Sequence, residues 1–500
     1  MSDAYALARM PATELVARYL ERTLSPVEVL AAVSLVADER EPELNAFWQR
    51  SPVSAREEAA ASEGRWREGT PLGPLDGVPV TVKENIARAG VPMPAGTAGV
   101  EPVVPARNAP VTDRLVESGA VIVGSTVMPD WGMLSSGVSS RHGITRSPWN
   151  PAWTTGGSSS GAGAAAAAGY APVNIGSDIG GSIRLPGTWL GLAGFKPSAG
   201  RIPLDVPYLG RAAGPLTRTV GDAALAMAVV ARPDDRDWTA IPTQDVDWST
   251  AGLRADVRGM RVGLQLDAGC GMAVEPEVAA AVKAAGRAFS DAGATVEPLS
   301  PFVTAQMLED LDTFWRVRSW NDVQALPAER RELVLPFIRR WVAPAAEVPG
   351  SRVLACYQSI LDLQRVTVAA VERFDIVLSP VAPVVAFPAE WPMPFGDVDQ
   401  PDRGMAHIGF TAPHNLAGLP AISVNCGFTP DAKPIGVQIA GPRLDDVGVL
   451  RAAAWYEQHR PAAATPDWPI DRPSGEASPR PVRPTAPEPL RRRSGGSRPG

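Results

Sequence analysis

The chain has 500 residues, 45% of them hydrophobic, and a formal net charge of −7: enough apolar material for a large core, with no basic stripe to suggest a nucleic-acid partner. No apolar run reaches membrane-spanning length, and the four histidines (His142, His407, His414, His459) lack metal-ligand spacing, so neither a membrane nor a metal or other cofactor is expected. Cys270, Cys356 and Cys426 form no CxxC pair and MSDAYALARMPATE has no signal-peptide core, which together predict reduced thiols and a cytoplasmic location.

From the N-terminus, apolar spacing predicts a helix over Ala12–Leu24, and Ser25-Pro26-Val27-Glu28 is a capping box opening a second helix. A strand begins at Leu44–Phe47, a helix follows over Ser54–Trp66, and Leu75–Val82 is a strand that delivers Lys83 to its end. Thr112–Gly119 reads as a short helix with a glycine stop, and Ala120–Gly124 as a buried strand. This alternation predicts an α/β protein with a central sheet covered by helices on both faces.

Two glycine–serine clusters come next, Gly156-Gly157-Ser158-Ser159-Ser160-Gly161 and Gly180-Gly181-Ser182. Glycine lets the backbone take tight turns that bring N–H groups near a ligand. The alanine run Ala162–Ala168 predicts a helix capped by the preceding serines, and Ala171–Ile175 a buried strand. Ser177–Gly181 then forms a loop that presents Ser182, a placement suited to acyl transfer with loop amides holding the oxyanion. A base is scarce, since the chain has four lysines: Lys83, Lys196, Lys283 and Lys433. Lys83, where a buried strand opens into a loop, is desolvated enough to work as a neutral amine.

Farther on, Arg261–Leu266 and Ala294–Leu299 read as strands around a helix over Glu275–Ala292. Residues 300–370 match no motif; Phe314, Trp315, Trp320 and Trp341 lie there among arginines, at spacing that reads first as core. Strands over Asp375–Pro380, Asn415–Val424 and Pro434–Ile439 and a helix over Val447–His459 complete the pattern. From Asp471 to Gly500 there are seven prolines and seven arginines and little apolar surface, so a disordered tail is expected.

GVPVTVKEN (Gly77–Asn85), GGSSSG (Gly156–Gly161) and SDIGGSIRLP (Ser177–Pro186), in that order, resemble the amidase signature family, as do Gly194–Ser198, Gly200–Pro203 and Gly214–Asp222. The resemblance implies one large α/β/α domain over residues 1–470 with a mixed, twisted sheet, and a variable, pocket-shaping role for 300–370. It implies Ser182 as the acylated nucleophile, Ser158 as a relaying serine on a cis peptide bond after Gly157, and Lys83 as base. The oxyanion hole maps onto the backbone N–H groups of Ile179, Gly180, Gly181 and Ser182, with Ser159, Asp178 and Arg184 in support. Lys196 falls on a structural position of the family. The chain departs from the usual pattern at Ser160, where a third glycine is common, at Ala162, where a serine is common, and at Ser147, where an asparagine is common.

The implied activity is hydrolysis of a small-molecule carboxamide, by a monomer or homodimer. One alternative is an amidotransferase A-type subunit that supplies ammonia within a tRNA-modifying complex. Another takes Gly157–Gly161 as G-x-S-x-G, an α/β-hydrolase elbow with Ser159 as nucleophile and His407 or His414 in the triad. A poor strand over Trp149–Thr155 weighs against it.

Overall fold

Val80 and Val82 point to one face of a strand and Thr81 and Lys83 to the other, yet all four are buried. A strand buried on both sides requires covered faces on both sides of its sheet, and this one runs through the middle of a large mixed sheet. The computed structural model describes residues 2–249, 253, 256–395 and 404–469.

Among these residues the strands are β1 (Phe47–Arg50), β2 (Pro79–Lys83), β3 (Val121–Thr126), β4 (Val138–Ser139), β5 (Gly143–Ile144), β6 (Val173–Asp178), β7 (Ala193–Lys196), β8 (Ala212–Thr217), β9 (Arg261–Leu264), β10 (Thr295–Pro298), β11 (Ile376–Pro380), β12 (Ala421–Phe428) and β13 (Pro434–Ala440). Eleven share one sheet in the order β1-β3-β2-β6-β8-β7-β12-β13-β11-β9-β10, while β4 and β5 pair with each other. The β3-β2-β6 block is parallel, the run from β6 through β8, β7, β12 and β13 to β11 is antiparallel, and β11-β9-β10 is parallel again. In the register of β2 and β6, Val82 stands opposite Ile175, which brings the end of β2, where Lys83 sits, beside the end of β6, where Ser177 and Asp178 sit.

The helices that cover the sheet begin where local chemistry says they should. Ser25 caps Pro26–Leu44: its hydroxyl accepts from the Glu28 amide at 3.2 Å, and its own amide donates to the Glu28 carboxylate at 2.9 Å. One apolar cluster joins this helix to Val220–Val230, Pro276–Asp291 and Asp446–His459 over the sheet. Another gathers Ala305–Gln324, Pro336–Val342 and Gly350–Val371, the segment that matched no motif.

Two expectations need correction. The predicted strand from Asn415 is instead a short helix, Ala412–Leu416, with Pro413 in its first turn; Gly418 turns the chain at a φ of 66° and β12 starts at Ala421. Ser159 occupies the N-cap of the helix Ser160–Ala168 but makes no capping bond, because its hydroxyl is engaged elsewhere, as described below. The expected tail from Asp471 lies outside the described residues.

Candidate active site

Lys83 ends β2 with no exposed surface, and its Nζ lies 2.8 Å from Ser158 Oγ, 3.1 Å from Ser177 Oγ and 3.2 Å from Ser159 Oγ. Burial pushes the ammonium down to about 7, and the nearby charge of Arg211 pushes the same way, against the opposing pull of Glu84 and Asp178. The three hydroxyls are not equivalent. Ser159 donates to the Ser177 carbonyl at 3.1 Å and accepts from the Ser177 amide at 3.2 Å, so toward Lys83 it can act solely as an acceptor. Ser177 Oγ also accepts from Asn85 Nδ2, at 3.1 Å. A neutral lysine has two N–H donors and one lone pair; donors aimed at Ser159 and Ser177 leave the lone pair for the Ser158 hydroxyl.

Ser158 follows a cis peptide bond from Gly157. A Cβ on Gly157 would fall 2.4 Å from the Ser136 carbonyl oxygen, so the backbone there fits glycine alone. Ser158 and Ser182 line one pocket, with Ser182 the more exposed of the two, at 9% against 4%. The Ser159 amide donates to the Ser182 carbonyl at 3.2 Å and ties the two glycine–serine segments together.

The loop ahead of Ser182 is held by a buried carboxylate. Asp178 accepts from the Gly181 amide at 2.7 Å and the Ile183 amide at 3.0 Å, from Arg184 Nε and Nη2 at 3.0 Å each, and from Asn415 Nδ2 at 2.8 Å. Burial alone would raise its pKa, but the charge and hydrogen bonds of Arg184 hold it well below the usual carboxylate range. Arg184 also donates to Gln438 Oε1 at 2.7 Å, to the Thr411 carbonyl at 3.1 Å, and to Asn415 Oδ1. Of the four amides expected in an oxyanion hole, Gly181's is therefore committed to Asp178. Among the described residues those of Ile179, Gly180 and Ser182 donate to no protein acceptor.

Lys196 is buried too and lies at about 7, through burial first and then the charge of Arg184, but it donates to the Pro197 carbonyl at 2.8 Å and is not part of the pocket wall. The elbow alternative does not fit. Ser159 is fully buried and bound to the Ser177 backbone in both directions, and among the described residues no strand leads directly into it. His407 bonds Ser135 Oγ at 2.7 Å, and burial pushes both His407 and His414 down to about 3.

Sequence reasoning passed over Asn85 and Ser177, although both stand inside the motifs it singled out; alternation along β6 was the available signal, since it turns Ser177 toward the partners of Lys83. Thr411, Asn415 and Gln438 gave no signal, being more than two hundred residues from Arg184. The expected aromatic stripe proves to be both core and wall: Trp315 and Trp341 are buried and line the pocket, whereas Phe314 and Trp320 pack against the cluster behind it.

Fold and site together define an α/β protein with a buried lysine–serine centre and a second serine on the same pocket wall. The chain belongs to the amidase family, whose sequence model matches residues 28–450. It is 33% identical over 455 residues to the A subunit of a glutamyl-tRNA(Gln) amidotransferase from Synechococcus sp. (strain CC9605), covering 84% of this chain and 90% of that one. Among solved structures it is similar to a bacterial aryl acylamidase of the amidase signature family, with a TM-score of 0.85 and 29% identity over 93% of this chain and 99% of that one. It is also similar to a 6-aminohexanoate cyclic dimer hydrolase bound to substrate, with a TM-score of 0.81 and 26% identity over 93% of this chain and 100% of that one.

Proposed function

We propose that this chain cleaves a carboxamide C–N bond through an acyl-enzyme on Ser182. The observation that carries the reading is Lys83 Nζ, fully buried and 2.8 Å from Ser158 Oγ, with its other polar contacts placed to accept from it. Neutral Lys83 takes the Ser158 proton as Ser158 takes that of Ser182, and Ser182 Oγ attacks the carbonyl carbon. The amides of Ile179, Gly180 and Ser182 face the developing oxyanion. The proton then returns through Ser158 to the leaving nitrogen, which departs as ammonia or an amine. Water attacks the ester by the same relay and frees the acid. The scheme uses protein side chains and amides, the substrate and water, and calls on no metal or cofactor; the remaining partner is a small-molecule amide handled in the cytoplasm by a monomer or homodimer.

A second reading is an amidotransferase A-type subunit, which performs the same first half-reaction and passes ammonia to a partner protein. The relatives in sequence back this reading more directly than they back a free-standing hydrolase, because those at 31–33% identity are A subunits of glutamyl-tRNA(Gln) amidotransferases. The pocket wall gives the hydrolase a place for an acyl or aryl portion, since Trp131, Met133, Trp315, Trp341, Met405 and Ile408 line it together with polar groups such as Asn85 and Arg211. Incubation of the purified chain with simple primary amides and anilides, followed by peptide mass spectrometry, separates the cases. Turnover by the isolated chain with an acyl adduct on Ser182 supports the hydrolase. Activity that depends on co-purified partner proteins supports the amidotransferase, and an adduct on another residue overturns the assignment of Ser182.

A further inference from the structure

Arg211, just ahead of β8, and Arg318, in the helix Ala305–Gln324, enter the pocket that Ser158 and Ser182 line. Both guanidiniums lie near one ring, that of Tyr208, at 5.5 Å and 4.8 Å from its centroid. Neither forms an ion pair or a side-chain hydrogen bond with any described residue. Asp322, one turn beyond Arg318, acts on both through space but pairs with neither. The two cations repel: burial and then the charge of Arg318 weaken the hold of Arg211 on its proton, and Arg211 in turn helps depress Lys83.

Among the described residues most buried or half-buried arginines have carboxylate or carbonyl partners; Arg184, Arg201, Arg236 and Arg316 are examples. Two like charges side by side at a pocket wall, stacked on a tyrosine and holding five N–H donors each, are arranged for a planar anion to bind between them. We propose that Arg211 and Arg318 form a carboxylate-binding subsite, so that the amide cleaved here carries an anionic group alongside an apolar portion that rests on the Trp315 side of the pocket. This rests on the reading of Ser182 as the acyl acceptor. It also gives Arg211 and Arg318 a part in specificity that nothing in the three motifs anticipates.

The test uses the full chain and matched p-nitroanilides of succinic, glutaric and adipic acid, each as the free acid and as its neutral methyl ester, with L-glutamine as a carboxylate from a different source. For the best chain length kcat/KM of the acid is expected to exceed that of the ester by about tenfold or more. That ratio should fall toward one in the Arg211→Gln/Arg318→Gln double variant and with added salt, and be partly kept in Arg318→Lys. Calorimetric titration of the same compounds into Ser182→Ala reads the subsite without turnover, and the acids should bind more tightly than the esters. Preference for the acid in binding, with no turnover of any compound, upholds the subsite and sinks the acyl-transfer reading instead. Tight binding of L-glutamine alone places the carboxylate on an α-amino acid and favours the amidotransferase. Esters that equal or surpass the acids at every length, in both binding and turnover, with L-glutamine unbound, overturn the proposal, whether or not the arginine variants fold.

Discussion

Asp178 and Arg184 face each other with neither side chain exposed, joined by Nε and Nη2 at 3.0 Å each. The pair does more than neutralise itself, because the carboxylate also holds the Gly181 and Ile183 amides and so sets the backbone on both sides of Ser182. Removing the arginine leaves an uncompensated buried charge, which costs roughly 3–5 kcal/mol. Arg184→Ala should therefore lower the urea midpoint markedly and abolish turnover. Arg184→Lys should rescue little, since an ammonium cannot bridge both carboxylate oxygens and also reach Gln438 and Asn415. A fully active Arg184→Lys enzyme of normal stability would remove this pair from the positioning of Ser182.

Gly181 lies beside that carboxylate at a φ of 132°, and a Cβ there would sit 2.8 Å from Thr411 Oγ1 and 2.9 Å from Leu185 Cγ. Gly181→Ala must shift the loop or its neighbours, at a cost of about 1–3 kcal/mol. Because the free amides of Ile179 and Gly180 shift with it, kcat should drop far more than KM rises. Steady-state kinetics beside a thermal melt separates this from simple destabilisation; unchanged kcat in a destabilised protein would show that the loop tolerates the change.

Ser182→Ala should reduce amide turnover by at least about 10⁴-fold with an unchanged melting temperature, because it removes a small hydroxyl facing the pocket. Ser159→Ala should behave in the opposite order of severity for stability. It strips two bonds from the Ser177 backbone and one acceptor from Lys83, so the melting temperature should fall, while some activity survives through the intact Lys83–Ser158 contact. If Ser159→Ala were inert and Ser182→Ala near normal, the nucleophile would have to be sought elsewhere.

What was legible in the sequence follows from how local each signal is. The capping box at Ser25, the apolar run before Lys83 and the glycines around Ser182 each announce themselves within a few residues, and the strands and helices they predict are present within a few positions. The expected Asn415 strand fails because apolar content from Leu416 to Val424 masks a helix that starts at Ala412, with Pro413 in its first turn, and a turn at Gly418. Strands β7 and β8 each carry a glycine, β8 a proline as well, and alternate weakly, so they are recognisable mainly from their antiparallel neighbours. Partners that meet across the sheet, as Arg184 meets Gln438 and Asn415, leave no trace in spacing. The pocket wall from Trp315 to Trp341 is illegible for a related reason: a buried aromatic on a helix reads the same whether core or ligand lies beyond it.

Protonation of Lys83 should set the pH profile. Burial places its pKa at about 7, below the ordinary lysine value of about 10.4, and the proposed relay uses the neutral amine. The amine is charged below that pKa and neutral above it, so kcat/KM on an unactivated amide should climb about tenfold per pH unit on the acid side. It should level off above about pH 7 to 8. Lys83→Ala should cost roughly 10²–10⁴-fold on anilides and less on activated esters, whose leaving groups need little protonation. Lys83→Arg should be as damaging as alanine at every pH, because a guanidinium stays charged throughout. Lys196 lies at about 7 as well but donates to the Pro197 carbonyl away from the pocket, so Lys196→Met should retain the same inflection. Should the inflection vanish with Lys196 and persist in Lys83→Arg, the base would be reassigned from one buried lysine to the other.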